Sequence, residues 1–130
     1  MFGSFDISSS ALNAQRVRLD TIASNIANVD SIRIPGQTPY KRLFPIFEAQ
    51  NTNGGMGVHV SRIEEDQSLP KSIHDPGNPY ADKKGYVYYP NIDLSTEYVN
   101  ALETTRAYEA NVTAIETTKS MLSATMRVLG

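Results

Sequence analysis

The sequence contains no cysteine. That absence excludes disulfide bonds, thiolate nucleophiles and cysteine-ligated metals, and it leaves the redox compartment open, because a chain without thiols tolerates any of them. Tryptophan is absent as well. Hydrophobic residues are 40% of the chain, a little below an ordinary globular domain, so any core must be thin. Charge of one sign is also scarce: 12 Lys and Arg against 14 Asp and Glu leave a net −2 at pH 7. That is too little to steer the chain to nucleic acid or anionic lipid, and the expected partners are proteins. No apolar run is long enough to span a bilayer, and the opening MFGSFDISSSALNAQ lacks the basic segment and apolar stretch of a cleavable secretion signal.

What the chain does have is unevenly placed. From about Ser9 to Val29, Leu12, Leu19, Ile22, Ile26 and Val29 recur at helical spacing and form one stripe, flanked by Ala11, Ala14, Ala23 and Ala27, which permit close approach of another helix. Ser8, Ser9 and Ser10 are the expected N-caps, and Asn28, Asp30 and Pro35-Gly36 mark the end. Asn25 and Asn28 are read either as C-cap residues or as polar links between neighbouring helices. A second helix is expected from Asp93 or Ser95 to the last residues, with Tyr98, Ala101, Tyr108, Val112, Ile115, Leu122, Met126 and Leu129 in a heptad register that Thr105 and Lys119 interrupt.

Residues 31–92 hold all 7 Pro and six of the 8 Gly, which is turn and strand chemistry. Gly57–Ile63 alternates as a strand. Tyr86–Tyr89 is a second, introduced by the turn Asp82-Lys83-Lys84-Gly85. Tyr40–Phe47 is a third, placed at an edge or left merely extended because Pro45 lacks a backbone donor. Asn51–Gly57 is expected to be a flexible tip and Asp75–Pro79 a tight turn. The resulting division is an N-terminal helix (1–30), a small β and loop region (31–92) and a C-terminal helix (93–130). The fold class is mainly α with a small β region, the terminal helices pairing as an antiparallel, coiled-coil-like hairpin. A helix with a single apolar stripe has nothing to bury it until another helix arrives, so the ends are expected to order when subunits associate.

Residues that could carry chemistry are few and scattered. His59 and His74 would each need Glu64, Asp75 or further ligands to hold a metal. Ser72, His74 and Asp75 are sequence neighbours, which rarely form a catalytic triad. Gly54-Gly55-Met56-Gly57 lacks the Lys-Ser/Thr and helix of a phosphate loop, and Asn111-Val112-Thr113 is a chance acceptor pattern inside a helix. No enzymatic activity, cofactor or metal is expected.

The segment Ala11–Asp20 (ALNAQRVRLD), followed by Ser24–Asp30 (SNIANVD), resembles the N-terminal motif of the axial rod and hook proteins of the bacterial flagellum. Pro39–Arg42, Phe47–Ala49, Asp75–Asp82, Gly85–Ile92, Arg106–Val112 and Lys119–Leu122 occur in the order found in the proximal rod members of that family, with no large inserted domain. Ser31 and Gln37-Thr38 depart from the usual pattern. The resemblance implies a structural subunit of the rod in the flagellar basal body. Such a subunit would be exported unfolded, would assemble helically in the periplasm and would transmit torque. Its implied partners are copies of itself, other rod proteins, the adaptor that joins rod to export gate, and ring proteins outside. The assembly interface is expected at Leu12, Leu19, Ile22, Asn25, Ile26, Val29, Tyr108, Val112, Ile115, Leu122, Met126 and Leu129. A soluble coiled-coil adaptor or export chaperone is the alternative reading.

Overall fold

In the computed structural model, which describes residues 2–52 and 55–130, the chain begins and ends in long helices. The first, α1, spans Phe2–Ala27. The second, α2, spans Leu94–Leu129. Between them lie two antiparallel hairpins: β1 (Leu43–Thr52) with β2 (Gly55–Glu65), and β3 (Lys71–His74) with β4 (Tyr86–Tyr89). The mainly α class with a small β region, and the pairing of the two terminal helices, are as expected.

α1 starts seven residues before the expected Ser9, so Ser8, Ser9 and Ser10 lie inside it rather than capping it. The Ser10 hydroxyl has a tertiary role instead: it donates to the Ile7 carbonyl at 2.8 Å and accepts from Val58 N of β2 at 3.1 Å. The other end is closed by Asn28, whose side-chain amide donates to the Ser24 carbonyl at 2.8 Å. This is the C-cap reading of Asn28, and it leaves Val29 in the following turn.

The line of α1 that is fully buried is Ala14, Thr21, Ile22 and Asn25. Leu12, Leu19 and Ile26 of the expected stripe lie roughly a third of a turn away and are only half-buried. The reason is that α1 has two neighbours. α2 lies on one side and the β1–β2 hairpin on another, and the residues between them are the ones that lose all solvent. The hairpin is pinned at both ends of α1, by Asn25 at Leu43 and by Ser10 at Val58. A Cβ on Gly57 would stand 2.7 Å from the Ser10 hydroxyl oxygen, so this close approach requires glycine.

The third expected strand is displaced. Tyr40–Arg42 are not in it, because Tyr40 and Arg42 reach back to the helices, and β1 runs on to Thr52. Pro45 sits within β1 opposite Ile63, tolerated because a two-stranded sheet has only edges. A bulge follows it, where the register shifts between Ile46 and Phe47. β2 is longer than the expected Gly57–Ile63. Of the expected flexible tip at Asn51–Gly57, residues 53 and 54 lie outside the described residues, and the rest is strand instead, with Asn51 and Thr52 ending β1 and Gly55–Gly57 opening β2 because they pair across the hairpin. β4 and its turn are as expected: Gly85 N donates to the Asp82 carbonyl at 3.0 Å, and Gly85 adopts φ +84°, the left-handed region that favours glycine. β3 was not expected; its residues are all exposed and show no alternation.

α2 begins where its cap directs. The Asp93 carboxylate accepts from Ser95 N at 3.1 Å and from the Thr96 hydroxyl at 3.0 Å. Against α1 the helix turns a seam of Glu97, Ala101, Thr104, Asn111, Ile115 and Thr118, which the half-buried Leu122 continues. Half of the expected heptad register is kept, at Ala101, Ile115 and Leu122. The other half moves one residue earlier, so that Tyr98 is 57% exposed while Glu97 is 1% exposed. The cause is electrostatic: Arg42 holds the Glu97 carboxylate inward.

Candidate assembly surfaces

The residues with least exposure gather at one end of the helical hairpin. There Asn25 donates to the Leu43 carbonyl and accepts from Leu43 N, both at 2.8 Å, and its Oδ1 also accepts from the Tyr40 hydroxyl at 2.8 Å. The Tyr40 hydroxyl in turn lies 3.0 Å from Ser24 Oγ. Beside this network the Arg42 Nε–H donates to Glu97 Oε1, while Glu97 Oε2 is buried without a hydrogen-bond partner. A buried charge pair of this kind fixes geometry more than it adds stability. It locks the segment before β1 to both helices at once.

The opposite end is left open. Arg18 and Glu103 approach to 4.0 Å, which marks how the two antiparallel helices are aligned. Counting equal rises from that pair puts Phe2 level with about residue 119, so the last ten residues of α2 extend about 15 Å beyond α1. Four large apolar side chains among them are exposed: Met121 57%, Met126 65%, Val128 85% and Leu129 83%.

The twelve expected interface residues divide accordingly. Ile22 and Asn25 are buried within the subunit, with Asn25 fully engaged by β1 and Tyr40. Leu12, Leu19, Ile26, Val29, Val112, Ile115 and Leu122 are half-buried, and Tyr108, Met126 and Leu129 are exposed. An exposed group that sequence reasoning did not assign lies at the start of α2: Leu94, Tyr98, Val99 and Leu102. The i, i+4 spacing of Leu94, Tyr98 and Leu102 is the sequence signal for this face.

A cleft of about 280 Å³ opens beside β4, lined among others by Arg33, Lys41, Leu69, Tyr88, Tyr89 and Pro90. The Arg33 guanidinium stands 4.0 Å over the Tyr88 ring. The Tyr88 hydroxyl donates to Asp82 at 2.8 Å, and Asp82 also accepts from Tyr86 N and Lys84 N. The Tyr86 amide and then the Tyr88 hydroxyl hold the Asp82 carboxyl below its usual range, and the same bond to Asp82 pushes the Tyr88 phenol up. Asp93 is lowered by the Thr96 hydroxyl and Ser95 N, and Asp66 by Ser68 N. These are turn and cap carboxylates. His74 packs edge-on against Tyr86 at 5.0 Å, and His59 lies 3.9 Å from Glu48. Among the described residues no group of three or more His, Asp or Glu is placed to hold a metal, and no helix is long and apolar enough to cross a membrane.

Comparison with known proteins matches both helical ends. Residues 5–31 fit the family model described as "Flagella basal body rod protein", and residues 83–128 fit "Flagellar basal body rod FlgEFG protein C-terminal". The flagellar basal-body rod protein FlgC of Escherichia coli O6:H1 is 44% identical over 94% of this chain and 92% of its own. Its Bacillus subtilis counterpart is 39% identical over 98% and 97%, and that of Borreliella burgdorferi 39% over 99% and 97%.

The chain belongs to the FlgC-type flagellar basal-body rod proteins.

This rod protein is a structural subunit of the flagellar basal body, and it associates there with other basal-body components. The resemblance seen in the motifs along its length is thereby shown, and its relatives are structural proteins.

Proposed function

We propose that the subunit belongs to the proximal, periplasmic part of the rod, where it acts without catalysis as a segment of the drive shaft. The helices assemble with copies of the chain and with other rod proteins, and torque passes through their packed faces. On this reading Leu12, Leu19, Ile26 and Val29 of the α1 side, with Tyr108, Val112, Ile115, Leu122, Met126 and Leu129 of α2, face neighbouring subunits. Ile22 and Asn25 keep the subunit itself in shape. Residues 31–92 form a small domain beside the helical core of 1–30 and 93–130, and the basal adaptor and ring proteins are the further partners.

One observation carries this reading: α2 overshoots α1 by about 15 Å with apolar side chains in solvent. A soluble monomer gains nothing from such an overhang, whereas an assembly buries it. The helices are also expected to gain order as neighbours cover them, because one apolar stripe per helix is insufficient for a stable isolated helix.

Deleting residues 120–130 tests it. The truncated chain should retain its β hairpins, read by near-ultraviolet circular dichroism of the tyrosines, yet fail to enter isolated basal bodies. Rods built with the truncated chain would overturn the proposal. A dilute, concentration-independent and fully helical monomer would count equally against it.

A further inference from the structure

We infer that the cleft beside β4 binds an extended, proline-rich segment of a partner protein. The inference goes beyond the assembly reading above, because none of the residues lining the cleft lies in α1 or α2.

The walls are flat rings: Tyr40, Tyr88 and Tyr89 together with Pro39, Pro70 and Pro90. Two of the tyrosines are tied from behind by their hydroxyls, Tyr40 donating to Asn25 at 2.8 Å and Tyr88 to Asp82 at 2.8 Å. Their rings are thus set in place before any ligand arrives, which lowers the entropic cost of binding. Leu69 also lines the cleft and is 86% exposed, so a large apolar side chain stands at its open rim.

The polar groups around these rings are unbalanced in one direction. Among the described residues, the Arg33 guanidinium makes no hydrogen bond and lies 4.0 Å over the Tyr88 ring. Arg42 donates only through Nε, to Glu97, which leaves its two terminal nitrogens unused. Lys41 gives one of its three protons, to Gln67 Oε1 at 3.3 Å. The acceptors, in contrast, are engaged: Asp66 by the Ser68 amide and hydroxyl, Gln67 Oε1 by Lys41, and Ser68 Oγ by Asn91. Donors are in surplus, but charge is not. Arg33, Lys41 and Arg42 are matched by Asp66 in the cleft, by Glu97 on Arg42 and by Asp82 on Tyr88.

This combination selects the ligand. An anion would gain little from a site whose cations are already balanced. A sugar or an ordinary strand brings donors as well as acceptors, and its donors would lose water without finding partners. A proline-rich segment brings carbonyl oxygens but no N–H at each proline, and its extended helix makes no internal hydrogen bonds, so those carbonyls are free to accept. Its rings pack on tyrosine and proline, the contact by which aromatic-lined grooves take such segments.

The test uses the full chain, isotope-labelled and followed by NMR, with decaproline as the probe and a Gly-Ser decapeptide as the comparison. Decaproline should give saturable shifts at the amides of Arg33, Lys41, Gln67, Tyr88 and Asn91, and the Gly-Ser peptide should give none. Leu69→Asp should weaken binding about tenfold, and the exposure of Leu69 leaves the fold independent of it. Arg33→Met keeps the stem, removes the donors and should weaken binding roughly fivefold. The inference is overturned by any of three results: no saturable shift at millimolar decaproline, an equal response to the Gly-Ser peptide, or binding unaltered by Leu69→Asp and Arg33→Met. Displacement of decaproline by millimolar inorganic phosphate would show an anion site and overturn it as well. Each of these results leaves the assembly reading in place, which the deletion of residues 120–130 tests separately.

Discussion

The two ends of the helical hairpin are built on opposite terms. At one end Thr21, Ile22, Asn25, Ile92, Glu97 and Thr104 have almost no surface exposed; at the other Met121, Met126, Val128 and Leu129 stand in solvent. The closed end is largely polar. It holds its shape through directional bonds from Asn25, Tyr40 and Arg42, because a small chain with few large apolar residues cannot fix three segments by packing alone. The open end presents exposed apolar side chains among Ser120, Ser123, Thr125 and Arg127, and among the described residues it makes no such bonds to the β region. The proposed assembly uses both: a corner that keeps its own geometry, and a surface left for a neighbour to cover.

The contrast can be broken most sharply at the open end. Met126→Asp should abolish entry into basal bodies, read by sedimentation of isolated structures, while shifting the urea stability of the free chain by no more than about 0.5 kcal/mol. A large loss of stability in the free chain would mean that the tail already packs within the subunit. At the closed end the effects should reverse. Arg42→Ala leaves Glu97, 1% exposed, without its counter-charge, and should cost about 3 kcal/mol in urea denaturation. Asn25→Ala strips Leu43 N–H and C=O of their partner and should cost about 2 kcal/mol by the same measurement.

The smallest effect is one of pH. Asp66, Asp82 and Asp93 have carboxyls lowered from the ordinary 3.8 by hydrogen bonds made in the folded state. A lowered folded value means the stabilisation is fully present above the ordinary value and is lost as pH falls through the lowered one. Acid below about pH 4 should therefore loosen the β3–β4 turn and the start of α2. In a circular dichroism titration, Asp93→Asn should flatten this response at the α2 start, and Met126→Ala should leave it unchanged.

Much of this arrangement was legible in the residues. Asp93 followed by Ser95 and Thr96 marks the start of α2, Gly85 after Asp82 marks a turn that needs positive φ, and the Pro and Gly content of 31–92 confines the strands to the middle. Less legible were the faces. The apolar stripe of α1 runs through Leu12, Leu19, Ile22 and Ile26, yet of these only Ile22 joins Ala14, Thr21 and Asn25 as a residue without solvent, because periodicity identifies an apolar side and cannot show that two different neighbours flank it. The register of α2 slipped by one residue for a similar reason. Glu97 is drawn inward by Arg42, 55 residues away in the chain, and no local pattern announces a charge that will be buried by a distant partner. β3 lacked the alternation that marks a strand, since its position is set by pairing with β4.

By itself the sequence determined the two helices, the β character of the middle and the family, because caps, turn glycines and apolar periodicity act within a few residues of where they are written. Only the tertiary structure decided which side of each helix is used up inside the subunit and which remains for a neighbour. That choice depends on long-range bonds from Asn25, Tyr40 and Arg42 and on the unequal lengths of two paired helices, and neither is a property of any local stretch of chain.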